Sequence, residues 1–206
     1  MLLLSLMACL ESAKDLLSIQ VDVKKDVVHV HWVMQDVADH DKCGPESPLA
    51  DCVAALKEDL AGYTDGLKGT TQHTEGYVVT EGRLDFVLDY TAPTSFFATS
   101  DGNQVQQVHM LTPADLEKGA PGKPGVAVLF ENDPNEKRST VKATGNARLL
   151  RMPQKNNETF DVWLIEKGKA AFEAEVVYLK EGQPMTHGLL ATKPGLLEAM
   201  KAEKLL

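Results

Sequence analysis

The sequence predicts an α+β fold, mainly antiparallel β: a curved sheet or half-barrel of about ten strands with two or three helices packed on it. Three observations carry that reading. Apolar and polar residues alternate over short runs, as in 17–23 and 27–34, which is the period of a half-buried strand. Turn-forming residues such as Glu81-Gly82 and Asp101-Gly102 separate these runs at hairpin spacing. Hairpins join consecutive strands, and the crossover helices that link successive strands of a parallel sheet are missing, which argues for an antiparallel sheet.

The chain has 206 residues, 43% of them hydrophobic. That is enough for one domain whose core needs neither a metal nor a disulfide framework to fold. A 25% charged fraction at this hydrophobicity excludes global disorder. The net charge of −9 speaks against nucleic acid as a partner, because a phosphate backbone is repelled by such a surface. No apolar run approaches the ~20 residues of a membrane-spanning helix.

Taken in order, residues 17–23 and 27–34 form a first hairpin that turns at Lys25-Asp26. Residues 36–48 are a polar loop. Ser47 and Pro48 then start a helix whose Leu49, Cys52, Val53, Leu56 and Leu60 make one apolar stripe ending near Gly62. Residues 63–75 read as a polar linker. A second hairpin covers 76–90 and turns at Glu81-Gly82. Strands at 94–99 and 104–111 flank Asp101-Gly102, a short helix starts at 112–115, and the Gly- and Pro-rich 119–125 is a loop. Residues 126–131 are a strand. Residues 139–144 and 147–152 are strands around Gly145-Asn146. The seed of the sheet is expected in 160–179, two strands joined by a turn at Glu166-Lys167-Gly168-Lys169, the first strand apolar on both faces and so central. A closing helix covers 192–204. Residues 1–15 are an anchor-like or helical segment, and 16–206 a single β-rich domain.

The N-terminus is apolar to residue 9 apart from Ser5, then turns polar at Glu11, Lys14 and Asp15. Leu6-Met7-Ala8-Cys9 resembles a bacterial lipobox, the signal for lipidation of its cysteine. The resemblance implies a protein of the cell envelope, anchored by lipid at Cys9 and sent to the outer membrane, since Leu10 and not Asp follows the cysteine. An amphipathic helix over 2–17 and a truncated secretory signal are the alternatives. With Cys9 set aside, Cys43 and Cys52 remain as an even pair, which an oxidising compartment would close into a disulfide worth ~2–3 kcal/mol. Two buried thiols in a cytoplasmic protein are the other reading.

Three groups of residues are site candidates. His29 and His31 stand two apart on a strand and point the same way, and His40 follows in the loop beyond it, between Asp39 and Asp41. Imidazoles so placed can hold zinc with an open position, and a metal-dependent hydrolase would follow. The same residues lie on the more polar face of the hairpin, where solvated histidines are the plainer expectation. Arg138, Lys142, Arg148 and Arg151 belong to a basic run, with Lys137 and Lys155, that suits an anionic partner. Ordinary solvent-facing strand residues explain it equally. Trp32 and Trp163, with Phe86, Phe130 and Phe172, line an apolar pocket or fill the core. Nucleophile-elbow, phosphate-loop, dinucleotide and His-Glu-x-x-His motifs are absent. The sequence therefore points to a non-catalytic binding or scaffolding protein without a cofactor. Its expected partner is a lipid or another envelope protein, and a structural subunit of an envelope complex is a further reading.

Overall fold

The computed structural model describes residues 10–67, 72–97, 108–111, 126–153 and 158–206. In chain order these form β1 (Leu10–Glu11), β2 (Lys14–Asp22), β3 (Val27–Gln35), β4 (Ala38–Asp39), α1 (Leu49–Gly66), β5 (Gln72–Thr80), β6 (Arg83–Ala92), α2 (Thr94–Phe97) and β7 (Val108–Leu111). They continue with β8 (Val126–Asn132), β9 (Lys137–Gly145), β10 (Arg148–Pro153), β11 (Thr159–Ile165), β12 (Lys169–Lys180), β13 (Gln183–Pro184), α3 (Leu189–Thr192) and α4 (Leu196–Ala202).

The expected fold class is the observed one. A seven-stranded sheet has the order β13-β12-β2-β3-β6-β5, with β9 also on β12. A four-stranded sheet has the order β10-β11-β8-β7, and β1 pairs with β4 as a small ribbon. Among the described residues every pairing is antiparallel and the large sheet does not close.

Alternation along each central strand gives the large sheet one buried face. Leu17, Ile19 and Val21 of β2, Val28, Val30, Trp32 and Met34 of β3, and Leu84, Phe86, Leu88 and Tyr90 of β6 all point inward, with Phe172 and Val176 of β12. Two layers share the cover. Towards β5 and β6 it is helical: Cys52, Val53 and Leu56 of α1 and Leu196 and Met200 of α4 join the same core cluster. Towards β12 it is the smaller sheet, where Phe130 and Trp163 meet Phe172 at ring-centroid distances of 6.1 and 5.9 Å. Each such large apolar side chain contributes roughly 1.5–3 kcal/mol by leaving water. Ala127, Val162 and Leu164 form a second cluster on the other face of the smaller sheet.

Several expectations change. The stretch 160–179 is not a hairpin: β11 pairs with β8 and β10 in the small sheet, and β12 pairs with β2 and β9 in the large one. The strands on either side of Gly145-Asn146 part in the same way. Two long strands, 137–153 and 159–180, run antiparallel through both sheets and bend together at one corner. Between the partners Gly145↔Ala170 and Arg148↔Leu164 one strand advances three residues and the other six, so the extra chain bulges outward there. Asn146 N–H donates to the Lys169 carbonyl at 2.9 Å across this corner. Gly145 has φ +82°, and a Cβ on it would lie 2.5 Å from the Lys169 carbonyl oxygen. Gly168, φ +80°, would put a Cβ 2.4 Å from Asn146 Nδ2. Only glycine fits both places.

Elsewhere, α1 runs past Gly62 to Gly66, and β5 already begins at Gln72, so the expected linker shrinks from both ends. Residues 94–97 are one helical turn instead of a strand. Ser47 Oγ accepts the Gly44 N–H at 2.9 Å instead of a helical N–H. The closing helix is two pieces, α3 and α4, divided at Pro194-Gly195, with Gly195 at φ 81°. From Leu10 the chain is already strand, so the ordered fold starts before residue 16 and the described part of 2–17 is not helical. Cys9 and the rest of 1–9, the Asp101-Gly102 turn, the helix at 112–115, the loop 119–125 and Lys155 lie outside the described residues. Among the described residues no helix is long and apolar enough to cross a membrane.

Candidate functional site

Alternation keeps polar side chains out of the sheet interior, so buried polar groups mark exceptions. Among the described residues these are Ser12, Asp15, Asp36, Asp39, Asp59 and Lys193. They gather where β2 begins, β3 ends and the C-terminal segment returns, around the β1–β4 ribbon and the disulfide loop. Asp15 occupies an inward position of β2 and accepts hydrogen bonds from Ser12 Oγ and, at 2.9 Å, from the Tyr178 hydroxyl. Burial pushes its carboxyl up to about 6 despite those bonds, which favour the ionised form. Asp36, at φ 54°, accepts the backbone N–H groups of His187 at 2.9 Å and Gly188 at 2.7 Å. This fixes the loop before α3 across the sheet end.

Cys43 and Cys52 form the expected disulfide, Cα–Cα 4.7 Å, joining the loop after β4 to the first turns of α1. Lys193 Nζ donates to the carbonyls of Gly44 (3.1 Å), Pro45 (3.2 Å) and Ser47 inside that loop. Asp39 accepts the Lys42 N–H at 2.9 Å through Oδ1. Asp59 of α1 is pushed up to about 6 by burial and then by the charge of Asp39, with Lys42 Nζ 3.9 Å away acting in the other direction.

On the rim of this corner three segments converge. Glu11 lies in β1, paired with Ala38 of β4. His40 follows β4 directly, and His187 is set by Asp36. His40 Nε2 and His187 Nδ1 are 2.8 Å apart, and Glu11 Oε2 lies 3.9 Å from His40 Nε2. The three ligand atoms fall within 4.8 Å of one another. Glu11 and His40 are exposed and His187 is half-buried. Burial first, and then His40, holds the His187 imidazole below its ordinary value, against the pull of Asp36, Glu11 and the Ser12 backbone. Two imidazoles and one carboxylate are a donor set for a borderline divalent metal with positions left open.

The other predicted residues are dispersed. His29 Nε2 and His31 Nδ1 both bond one carboxylate, Asp89 of the neighbouring β6, at 2.9 and 3.0 Å. Burial alone would raise Asp89; the two histidine hydrogen bonds and charges outweigh it and hold the carboxyl below the usual range. His40 is not with them, so the three histidines expected together occupy two sites. Trp32 is buried in the core and Trp163 packs edge-on against Phe172, while three grooves lined by other residues open on the surface. Two of those grooves, about 380 and 440 Å³, run along the outer face of the large sheet past His29 and His31. The basic run is split between the sheets. Arg151 makes a bidentate pair with Asp161 at 2.7 and 3.0 Å, and Arg148 sits 3.9 Å from Glu166. Arg138 and Lys142 remain on the outer face of β9, opposite Val177 and Glu173. Charged residues on such an outermost strand discourage further strand pairing.

Glu11 and His187 were not legible as site residues. His40 and His187 are 147 positions apart, and only the return of the C-terminal segment unites them. Comparison of the chain with protein-family models, curated proteins and solved structures gives no match.

Proposed function

We propose that this is an exported protein of the cell envelope, lipid-anchored through Cys9, whose β-rich domain has a non-catalytic binding or scaffolding role. The observation that carries the reading is the lipobox-like Leu6-Met7-Ala8-Cys9, with the described fold beginning at the very next residue in the sequence. Leu10 is already in β1 and buried, so a lipid on Cys9 would join the domain with no linker between them. The Cys43–Cys52 disulfide supports the same address, because such bonds persist in oxidising compartments. The binding role is assigned to the surface: the grooved outer sheet face and the corner at Glu11. His29 and His31, committed to Asp89, lend no support to a hydrolase built on them.

Intact-mass spectrometry of the protein, expressed in a bacterium with its native upstream region, tests this. The expected species is a chain starting at a diacylglyceryl-modified Cys9, in the membrane fraction, with Cys43 and Cys52 oxidised. A Cys9→Ala variant is expected in the soluble fraction. An unmodified chain beginning at Met1 with free thiols overturns the proposal.

A further inference from the structure

We propose that Glu11, His40 and His187 form a binding site for a divalent transition metal of the zinc class, with three protein ligands and at least one position open to water or an exogenous ligand. The distances fit. Ligand atoms 2.0–2.1 Å from a tetrahedral zinc stand about 3.3 Å from one another. His40 Nε2 and His187 Nδ1, 2.8 Å apart, and Glu11 Oε2, 3.9 Å from His40, bracket that value, and all three atoms lie within 4.8 Å of one another, so side-chain shifts of up to about 1.5 Å complete the set.

The chemistry fits as well. Two ring nitrogens facing each other at 2.8 Å must share one proton, since two lone pairs or two N–H groups would repel. A metal ion between the rings can replace that hydrogen bond by accepting both lone pairs. The shared proton then sits on the far nitrogen of its own ring, and both imidazoles stay neutral, as ligands must be. Nitrogen donors favour zinc, nickel, cobalt or copper over calcium and magnesium, which take oxygen ligands.

Each ligand is also held from behind. Asp36 binds the His187 and Gly188 N–H groups, Asp39 accepts the Lys42 N–H just past His40, and the β1–β4 pairing places Glu11. The disulfide closes the His40 loop onto α1. Such support lowers the ordering cost of binding. Asp36 and Asp39 lie buried directly behind the site, so the local field there favours a positive ion. The site stands independently of the anchor at Cys9.

The test is zinc titration of chelator-stripped full-length protein by calorimetry, with cobalt(II) absorption as a second readout. The expected result is one ion per chain, a raised Tm, and visible cobalt bands of a low-coordinate nitrogen–oxygen site. Glu11→Gln, His40→Ala and His187→Ala should each weaken binding roughly tenfold or more. Each should also keep the metal-free Tm within a few degrees, which separates lost ligation from lost folding. His29→Ala and His31→Ala should bind as the wild type does, and so should Cys9→Ala, whatever the fate of the lipid anchor. No binding by the wild type, binding unaltered in all three ligand variants, or binding lost with His29 or His31 overturns the proposal. A mere imidazole–imidazole hydrogen bond gives the first of these outcomes.

Discussion

Buried carboxylates couple the fold to pH, and Asp15 is the more enclosed of the two that burial raises. Asp15 titrates near 6 in the folded chain against an ordinary 3.8, because burial penalises its charge. Between those values the folded state holds a proton that the unfolded state has lost, so stability is fully present below about pH 4 and falls as pH rises through 6. Asp15→Asn removes the charge but keeps the shape. The variant should match the wild type near pH 4 and exceed it at pH 7 by on the order of 1–3 kcal/mol. Urea unfolding at both pH values measures this, and a difference that does not change with pH rules the assignment out. At this scale the sequence was readable where a site was local. Strand parity put His29 and His31 side by side, and they are. It could not show that Asp89, on a strand 58 to 60 residues away, takes both nitrogens. Nor could it show that His40 belongs with Glu11 and His187, since that neighbourhood depends on which strand ends meet.

At the level of elements, alternation and turn chemistry located most strands, because both act within a few residues. The β2–β3 and β5–β6 hairpins are as expected, with Asp26 and Glu81 in the left-handed conformation at their turns. Partner choice was the harder inference. Residues 160–179 have the sequence of a hairpin, yet the turn residues serve a corner between two sheets. Gly168 alone looks the same in either role, and its partner glycine, Gly145, lies 23 positions earlier. Gly145→Ala tests the corner. It forces a left-handed conformation on a residue with a Cβ and drives that Cβ against the Lys169 carbonyl, at a cost of about 2–4 kcal/mol. A urea midpoint lowered to that extent is expected. A change within experimental error would mean that the corner relaxes freely.

For the whole molecule, composition and strand spacing sufficed for the fold class, since both are global averages. The division into two sheets was not legible, because an inward face reads the same whether a helix or another sheet covers it. Both kinds of cover act on one core, and β9–β10 and β11–β12 pass through both sheets. Unfolding should therefore be a single cooperative transition. Replacing Cys43 and Cys52 together with Ser should lower stability by about 2–3 kcal/mol with a slightly steeper urea dependence, since the bridge mainly restricts the unfolded chain. Two resolved transitions in calorimetry, or no loss in the double variant, would contradict this arrangement.

The place of β2 between β3 and β12 sets the order of events during biosynthesis. Ser18 and its cross-strand neighbour Glu173 are 155 residues apart. At bacterial synthesis rates of ~5–20 residues per second, β2 waits many seconds for that partner, and the large sheet cannot be completed before nearly the whole chain has been made. Under the proposed export, a chain threaded unfolded through a secretion channel would gain from such a delay, because the topology itself holds back the stable state.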